Sequence, residues 1–154
     1  MMTPPTIAAG LHASIDEALK LFSGADERRT AVRPAAGGWS AREVIGHLID
    51  SACNNHRRFV LGQSADLQRF DGYDGDVWVA RQRYNEVPWR DLVALWTAYN
   101  RQLAHVIGCA PPAALTHAAT SPEGTEQVTL GFLMEDYVTH LRHHLEQLRP
   151  LLRP

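Results

Sequence analysis

The sequence predicts an all-α protein, a four-helix bundle with long inter-helix connections. Three observations carry that expectation. Four long blocks space their apolar residues by three and four positions, the period of a helix with one buried stripe. Gly and Pro punctuate the chain between the blocks, and no alternating apolar–polar run of useful length marks a strand. A chain of 154 residues is also the size of one domain, so residues 1–154 are read as a single unit. Four amphipathic stripes in a chain of that size are buried most economically against one another.

The first block runs from about Thr6 to Phe22, with Ile7, Leu11, Ile15, Ala18, Leu19 and Phe22 on one face and Gly24 as its stop. A loop from Gly24 to Trp39 follows. Ser40 and Glu43 have the spacing of a capping box, which opens a second helix to about Leu61, ended by Gly62. Residues 62–75 read as loop, and Asp74-Gly75-Asp76 caps a short helix over Val77–Tyr84. Pro88 suits the first turn of the next long helix, which extends to Ile107 and is closed by Gly108 and Pro111-Pro112. The stretch 109–128 is irregular. Thr129 opens the last helix, expected to reach Arg149 and to stop at Pro150.

Composition excludes several function classes. Fifteen basic and 17 acidic residues give a net charge of −2, which offers no field for nucleic acid or anionic lipid. No apolar run approaches the ~20 residues of a membrane span, and the N-terminus lacks a signal-peptide layout. The two cysteines, Cys53 and Cys109, build no disulfide framework and suit a reducing cytosol. A cytoplasmic protein is expected. The unusual number is eight histidines.

Helical projection separates those histidines. On the second helix Val44, Ile45, Leu48, Ile49, Ala52 and Phe59 form the apolar face, and His47 lies beside it in a polar stripe with Ser51, Asn54 and Arg58. On the last helix Leu130, Met134, Tyr137, Val138, Leu141, Leu145 and Leu148 form the apolar face. His140 and His144 sit on its edge, one turn apart, while His143 points further round, toward the side of Asp136. Two imidazoles four residues apart on one helix face have the spacing of a two-histidine metal site, and His47 can complete a three-nitrogen set with open positions. The same residues have plainer readings. His47 can be a half-buried histidine bonded to the backbone or to Asp50, and the last-helix histidines a polar flank favoured by the helix dipole. His12, His56 and His105 read as surface or packing residues, and His117 has no assigned place.

Three segments resemble a known family. Gly38-Trp39-Ser40-Ala41-Arg42-Glu43-Val44-Ile45-Gly46-His47-Leu48-Ile49-Asp50-Ser51 is similar to the second-helix motif of the DinB/YfiT-like proteins, bacterial four-helix bundles grouped as metalloenzymes. Tyr137-Val138-Thr139-His140-Leu141-Arg142-His143-His144-Leu145-Glu146-Gln147-Leu148 is similar to their last-helix motif, and Tyr73-Asp74-Gly75-Asp76-Val77-Trp78 resembles a stretch of the YfiT-like branch. The resemblance implies that His47, His140 and His144 ligate a divalent metal ion, zinc or nickel. It also implies a chemistry in which a low-molecular-weight thiol is transferred to an electrophile, as in bacillithiol S-transferases and the mycothiol-dependent maleylpyruvate isomerase. Many relatives carry instead the label of metal-dependent hydrolase.

Three neutral imidazoles leave the charge of a divalent ion uncompensated, which favours a thiolate or an activated water at an open position. Hydrolysis usually wants a carboxylate beside that water. Between His140 and His144 stand only Leu141, Arg142 and His143, so thiol transfer is the first expectation, with Asp50 or Glu135 as stand-in bases for a hydrolase. Arg58 can clamp a carboxylate, and Ser51 and Asn54 can orient substrate. Tyr137 can bond a ligand or act as an acid; Asp50 and Asp136 can fix imidazole tautomers. Trp39 and Trp78 read as core or lid aromatics. A small-molecule thiol and an electrophile are the expected partners, with no nucleic acid and no membrane. A homodimer is a further expectation, with the apolar Leu151-Leu152 tail as its contact. From another class, the chain reads as a non-catalytic metal- or ligand-binding dimeric bundle.

Overall fold

The computed structural model describes residues 2–64, 69–121 and 126–153. Four long helices dominate it: α1 (Pro4–Phe22), α2 (Ala41–Leu61), α4 (Trp89–Gly108) and α5 (Leu130–Leu151), with a short α3 (Gly75–Gln82) between α2 and α4. Helix α1 packs on α4 and α5, and α2 packs on the same two. The order around the bundle is therefore α1, α4, α2, α5, and the consecutive helices α1 and α2 lie on a diagonal. The long connection from Ser23 to Ser40 makes that crossing possible; a short one would have left the two helices adjacent. Trp96, Phe59, Ile45, Leu103, Ile107 and Leu141 are completely buried at the centre.

Local chemistry explains the helix ends. Thr3 accepts from the Thr6 amide, and Pro4 and Pro5 occupy the first turn, so α1 begins two residues earlier than its apolar stripe suggests. The capping box is formed: Ser40 accepts from the Glu43 amide while the Glu43 carboxylate accepts from the Ser40 amide at 2.9 Å. Glu43 also receives Arg33, and although burial works to raise its pKa, these bonds hold the carboxyl below its ordinary range. Asp74 caps α3 by accepting from Val77. That helix ends at Gln82, ahead of the expected Tyr84, because Arg83 turns left-handed (φ 53°) and Tyr84–Glu86 form a separate 3-10 turn.

Two expectations are corrected. Pro150 does not stop the last helix, which continues to Leu151. A proline in the final turn forfeits one bond near the frayed end, while Leu152, buried in the core, closes the turn through its amide on the Leu148 carbonyl. Of the Leu151-Leu152 tail, Leu152 is buried and Leu151 is half-buried against the core of the same chain. The irregular stretch contains a two-stranded antiparallel ribbon, β1 (Ala118–Thr120) and β2 (Gln127–Thr129), with Ala119 opposite Val128. Three-residue strands are too short to show an alternation. Thr120 both accepts from the Phe70 amide and donates to the Phe70 carbonyl, each at 2.9 Å, which pins the segment leading to Tyr73.

Candidate metal centre

Helices α2 and α5 pack side by side, and each presents the edge of its apolar face to the other. The capping box sets the register at which α2 begins, and His47 follows two turns later. On α5, Arg142 reaches back between the two histidine turns to Ser14 Oγ and the Gly10 carbonyl on α1, which ties α5 to α1. The outcome is convergence: His47 Nε2 lies 3.3 Å from His140 Nε2, and His140 Nε2 lies 3.1 Å from His144 Nε2. One ligating atom from each of the three lies within 4.8 Å of the others.

That spacing tests whether the trio fits an ion. Nitrogens at about 2.0–2.1 Å from one centre, with angles of about 90–110° between them, stand about 2.8–3.4 Å apart. Both Nε2 separations fall in that range, and the donors are all imidazole nitrogens, so the residues fit a divalent metal. Burial is the largest cause lowering the pKa of each ring: His47 falls to about 4, helped by His144 and His140, His144 falls to about 4, helped by His140 and His143 against its bond to Gln147, and His140 is lowered too, helped by His143. Neutral rings are the form that binds metal.

The rings are held by walls and by bonds. Trp39 packs on His47 with centroids 4.9 Å apart, and Tyr73 stacks beyond it at 6.5 Å. Gly75 closes on the His47 ring so tightly that a Cβ would stand 3.2 Å from its Cε1 and Nδ1. Trp78 meets Tyr73 edge-on at 5.3 Å, so both tryptophans act as walls. His144 Nδ1 donates to Gln147 Oε1 at 2.8 Å.

Beside the trio lies a cavity of about 230 Å³ lined by His47, Ser51, Asn55, Arg58, Tyr73, Gly75, Asp136, Tyr137 and His140. Of the stripe read on α2, Ser51 and Arg58 line it and Asn54 does not. Asn54 donates to the Asp50 carbonyl, and Asn55 takes its place in the wall. Taking His47 as zero, Asn55 projects about 80° toward the apolar centre and Asn54 about 20° away from it, so Asn55 lies on the core-facing side of the stripe. Arg58 is fully buried, with Nη2 donating to the Asp71 carbonyl at 3.3 Å. Tyr73, whose hydroxyl is pushed up to about 12 chiefly by burial and then by Asp50, stays protonated and can donate.

Other expected roles are reassigned. The Tyr137 hydroxyl donates to Asn100 Oδ1 at 2.6 Å, and complete burial raises its pKa far above the usual value, so it is no ready acid. Asp50 meets no imidazole: Tyr84 donates to its Oδ1 at 2.6 Å and Gln82 donates to the same oxygen. Burial raises the Asp50 carboxyl, and those two bonds oppose it. Glu135 accepts from the Met2 amide at the surface. Asp136 does line the cavity. His117, unassigned from sequence, donates from Nδ1 to the Gly62 carbonyl at 2.8 Å and ties the end of α2 to the ribbon. His56 bonds Tyr99, and His12 and His105 are exposed. Cys53 and Cys109 are exposed and neither lines the cavity. Among the described residues, no helix is long and apolar enough to cross a membrane.

Known proteins place this arrangement in context. A proposed metal-dependent hydrolase from Oceanobacillus iheyensis is 26% identical over 77% of this chain and 67% of its own length. YfiT of Bacillus subtilis, named in the same way, is 27% identical over 76% of this chain. The chain spans 66% of YfiT's length, about two thirds of either relative. The solved structure of YfiT, described as having an unusual four-helix bundle topology, superposes with a TM-score of 0.85 at 20% identity, covering 96% of this chain and 85% of that one. The family model of the DinB superfamily matches residues 11–148, a span that contains all three converging histidines: the chain belongs to the DinB superfamily.

Proposed function

We propose that the chain is a metal-dependent hydrolase of small polar molecules, with a zinc or nickel ion held by His47, His140 and His144. The observation that carries hydrolysis is the position of Asp136. The sequence offered no carboxylate between the paired histidines, yet the fold sets Asp136, one turn before His140, into the cavity wall that His47 and His140 also form. That puts a carboxylate in the wall of the cavity beside the trio, where it can serve as the proton acceptor for water. Bound there, the ion would lower the pKa of water and polarise the bond under attack. Around it, Tyr73 keeps its proton and donates to negative charge developing on the substrate, while Arg58, Ser51 and Asn55 offer donors along the cavity floor. The names of the relatives support the same reading.

Thiol transfer is the second reading. An all-imidazole set leaves the ion's charge undiminished for a thiolate, and since neither Cys53 nor Cys109 lines the cavity, the sulfur would arrive with the substrate.

The test begins with metal content of untagged protein: one divalent ion per chain is expected, lost in His47→Ala and His140→Ala. Zinc- and nickel-loaded protein is then assayed with chromogenic esters, and with bacillithiol, glutathione or cysteine plus a generic electrophile. Asp136→Asn should cut hydrolysis about 10²-fold or more, the usual worth of a general base, and leave any thiol transfer unchanged. Thiol transfer without ester cleavage overturns the first reading in favour of the second. Unchanged metal content in both histidine variants overturns the site itself.

A further inference from the structure

Gln147 lies one turn beyond His144 on the exposed side of α5 and touches two histidines at once. Its Oε1 is 2.8 Å from His144 Nδ1, and its Nε2 is 3.0 Å from His143 Nε2. A neutral imidazole carries one N–H and one lone pair. His144 Nε2 faces His140 Nε2 at 3.1 Å, inside the trio, so the lone pair that can ligate must be on Nε2 and the proton on Nδ1. Only an acceptor can face that proton. The amide therefore has one productive orientation, and turning it over would set an NH2 group against the Nδ1 hydrogen. His143 Nε2, accepting from the amide nitrogen, favours that same orientation. The other two ligand rings have no such partner: among the described residues, His47 Nδ1 and His140 Nδ1 are buried without a hydrogen bond.

We propose that Gln147 is a positioning residue for the metal site, holding His144 in its Nδ1–H tautomer, and that His143 orients the Gln147 amide. This rests on the three-histidine metal reading. It gives His143, expected from projection to be a plain surface residue, a task two bonds from the trio. Partners that orient a ligand from behind are typically worth 10–100-fold in metal affinity.

Two variants of this exposed residue separate the proposal from a general packing role. Gln147→Glu keeps an acceptor opposite Nδ1–H, and Gln147→Met keeps comparable length without one. Zinc affinity is measured by competition with a chromogenic chelator, and the His144 tautomer by 15N NMR of the metal-free protein. The expected result is a 10–100-fold weaker affinity in Gln147→Met with a mixed tautomer, and wild-type or tighter binding in Gln147→Glu with Nδ1 protonated. Wild-type affinity in Gln147→Met, or equal losses in both variants, overturns the proposal. A wild-type protein that binds no divalent ion overturns the metal reading and the proposal with it. A His144 tautomer indifferent to residue 147, in protein that does bind zinc, overturns the proposal alone.

Discussion

Tyr137 stands one turn before His140 and its ring lines the cavity, but its hydroxyl points across the core to Asn100 on α4. Removing that hydroxyl leaves the buried Asn100 oxygen without its donor, and such a loss costs about 1–3 kcal/mol. Tyr137→Phe is therefore expected to lower stability by that amount in urea unfolding while leaving zinc affinity unchanged; a loss of affinity with full stability would return Tyr137 to the chemistry. The ligand rings make the opposite prediction, one of pH. Their pKa values are depressed in the folded protein, to about 4 for His47 and His144, against an ordinary ~6.5 in the unfolded chain. Between those values the unfolded state binds protons that the folded state refuses, so stability falls as pH drops from about 6.5 toward 4. Thermal unfolding of metal-free protein across that range checks the slope, and His47→Phe/His144→Phe should flatten it relative to wild type.

At the scale of elements, the beginning of α2 carries more than its capping box. Arg42 donates to Thr30 Oγ1, to the Asn85 and Val87 carbonyls, and to both the carbonyl and the carboxylate of Glu27. One guanidinium thus fastens the 24–39 loop and the Tyr84 turn to the helix that presents His47. Four residues on, Gly46 lets the Tyr84 ring press against α2; a Cβ there would stand 2.0 Å from Tyr84 Cδ2. Gly46→Ala must displace Tyr84 and with it the bond to Asp50. We expect a cost of about 1–3 kcal/mol together with weaker zinc binding, measured by urea unfolding and chelator competition; Tyr84→Phe, which keeps the ring, should lose stability and spare the affinity. These features also mark where sequence reasoning reached and where it stopped. The long helices, the capping box and the faces of His47, His140 and His144 follow from local periodicity, because one stripe of each helix had to be buried. The stripe drawn through His47 takes in Asn54 and leaves out Asn55 because it ignores which way the core lies. Asp136 in the cavity, Tyr73 against His47 and Gly46 under Tyr84 depend on contacts between elements distant in sequence. The ribbon stayed hidden because three-residue strands carry no period. Gln147 was within reach, since a residue three positions after a ligand shares its face.

Across the whole molecule, the proposed site joins two helices far apart in the sequence, α2 (Ala41–Leu61) and α5 (Leu130–Leu151). His47 comes from α2, early in the chain, and His140 and His144 come from α5, which Arg142 bonds to α1. An ion held by both helices crosslinks them, and unfolding must separate the three nitrogens. Binding to the native state alone stabilises it by mass action, about 2.7 kcal/mol at a free concentration 100 times the dissociation constant. For a domain of about 150 residues that corresponds to a rise of roughly 5–10 °C in Tm. Calorimetry at increasing zinc or nickel should show Tm climbing with the logarithm of free metal in wild-type protein and staying flat in His140→Ala. Arg142→Met should start from a lower metal-free Tm and show a smaller rise, because an α5 free to roll no longer presents both histidines to His47. If Arg142→Met loses stability but keeps the full metal-dependent rise, the roll of α5 is fixed by core packing alone, and the bond to Ser14 contributes to the fold without shaping the site.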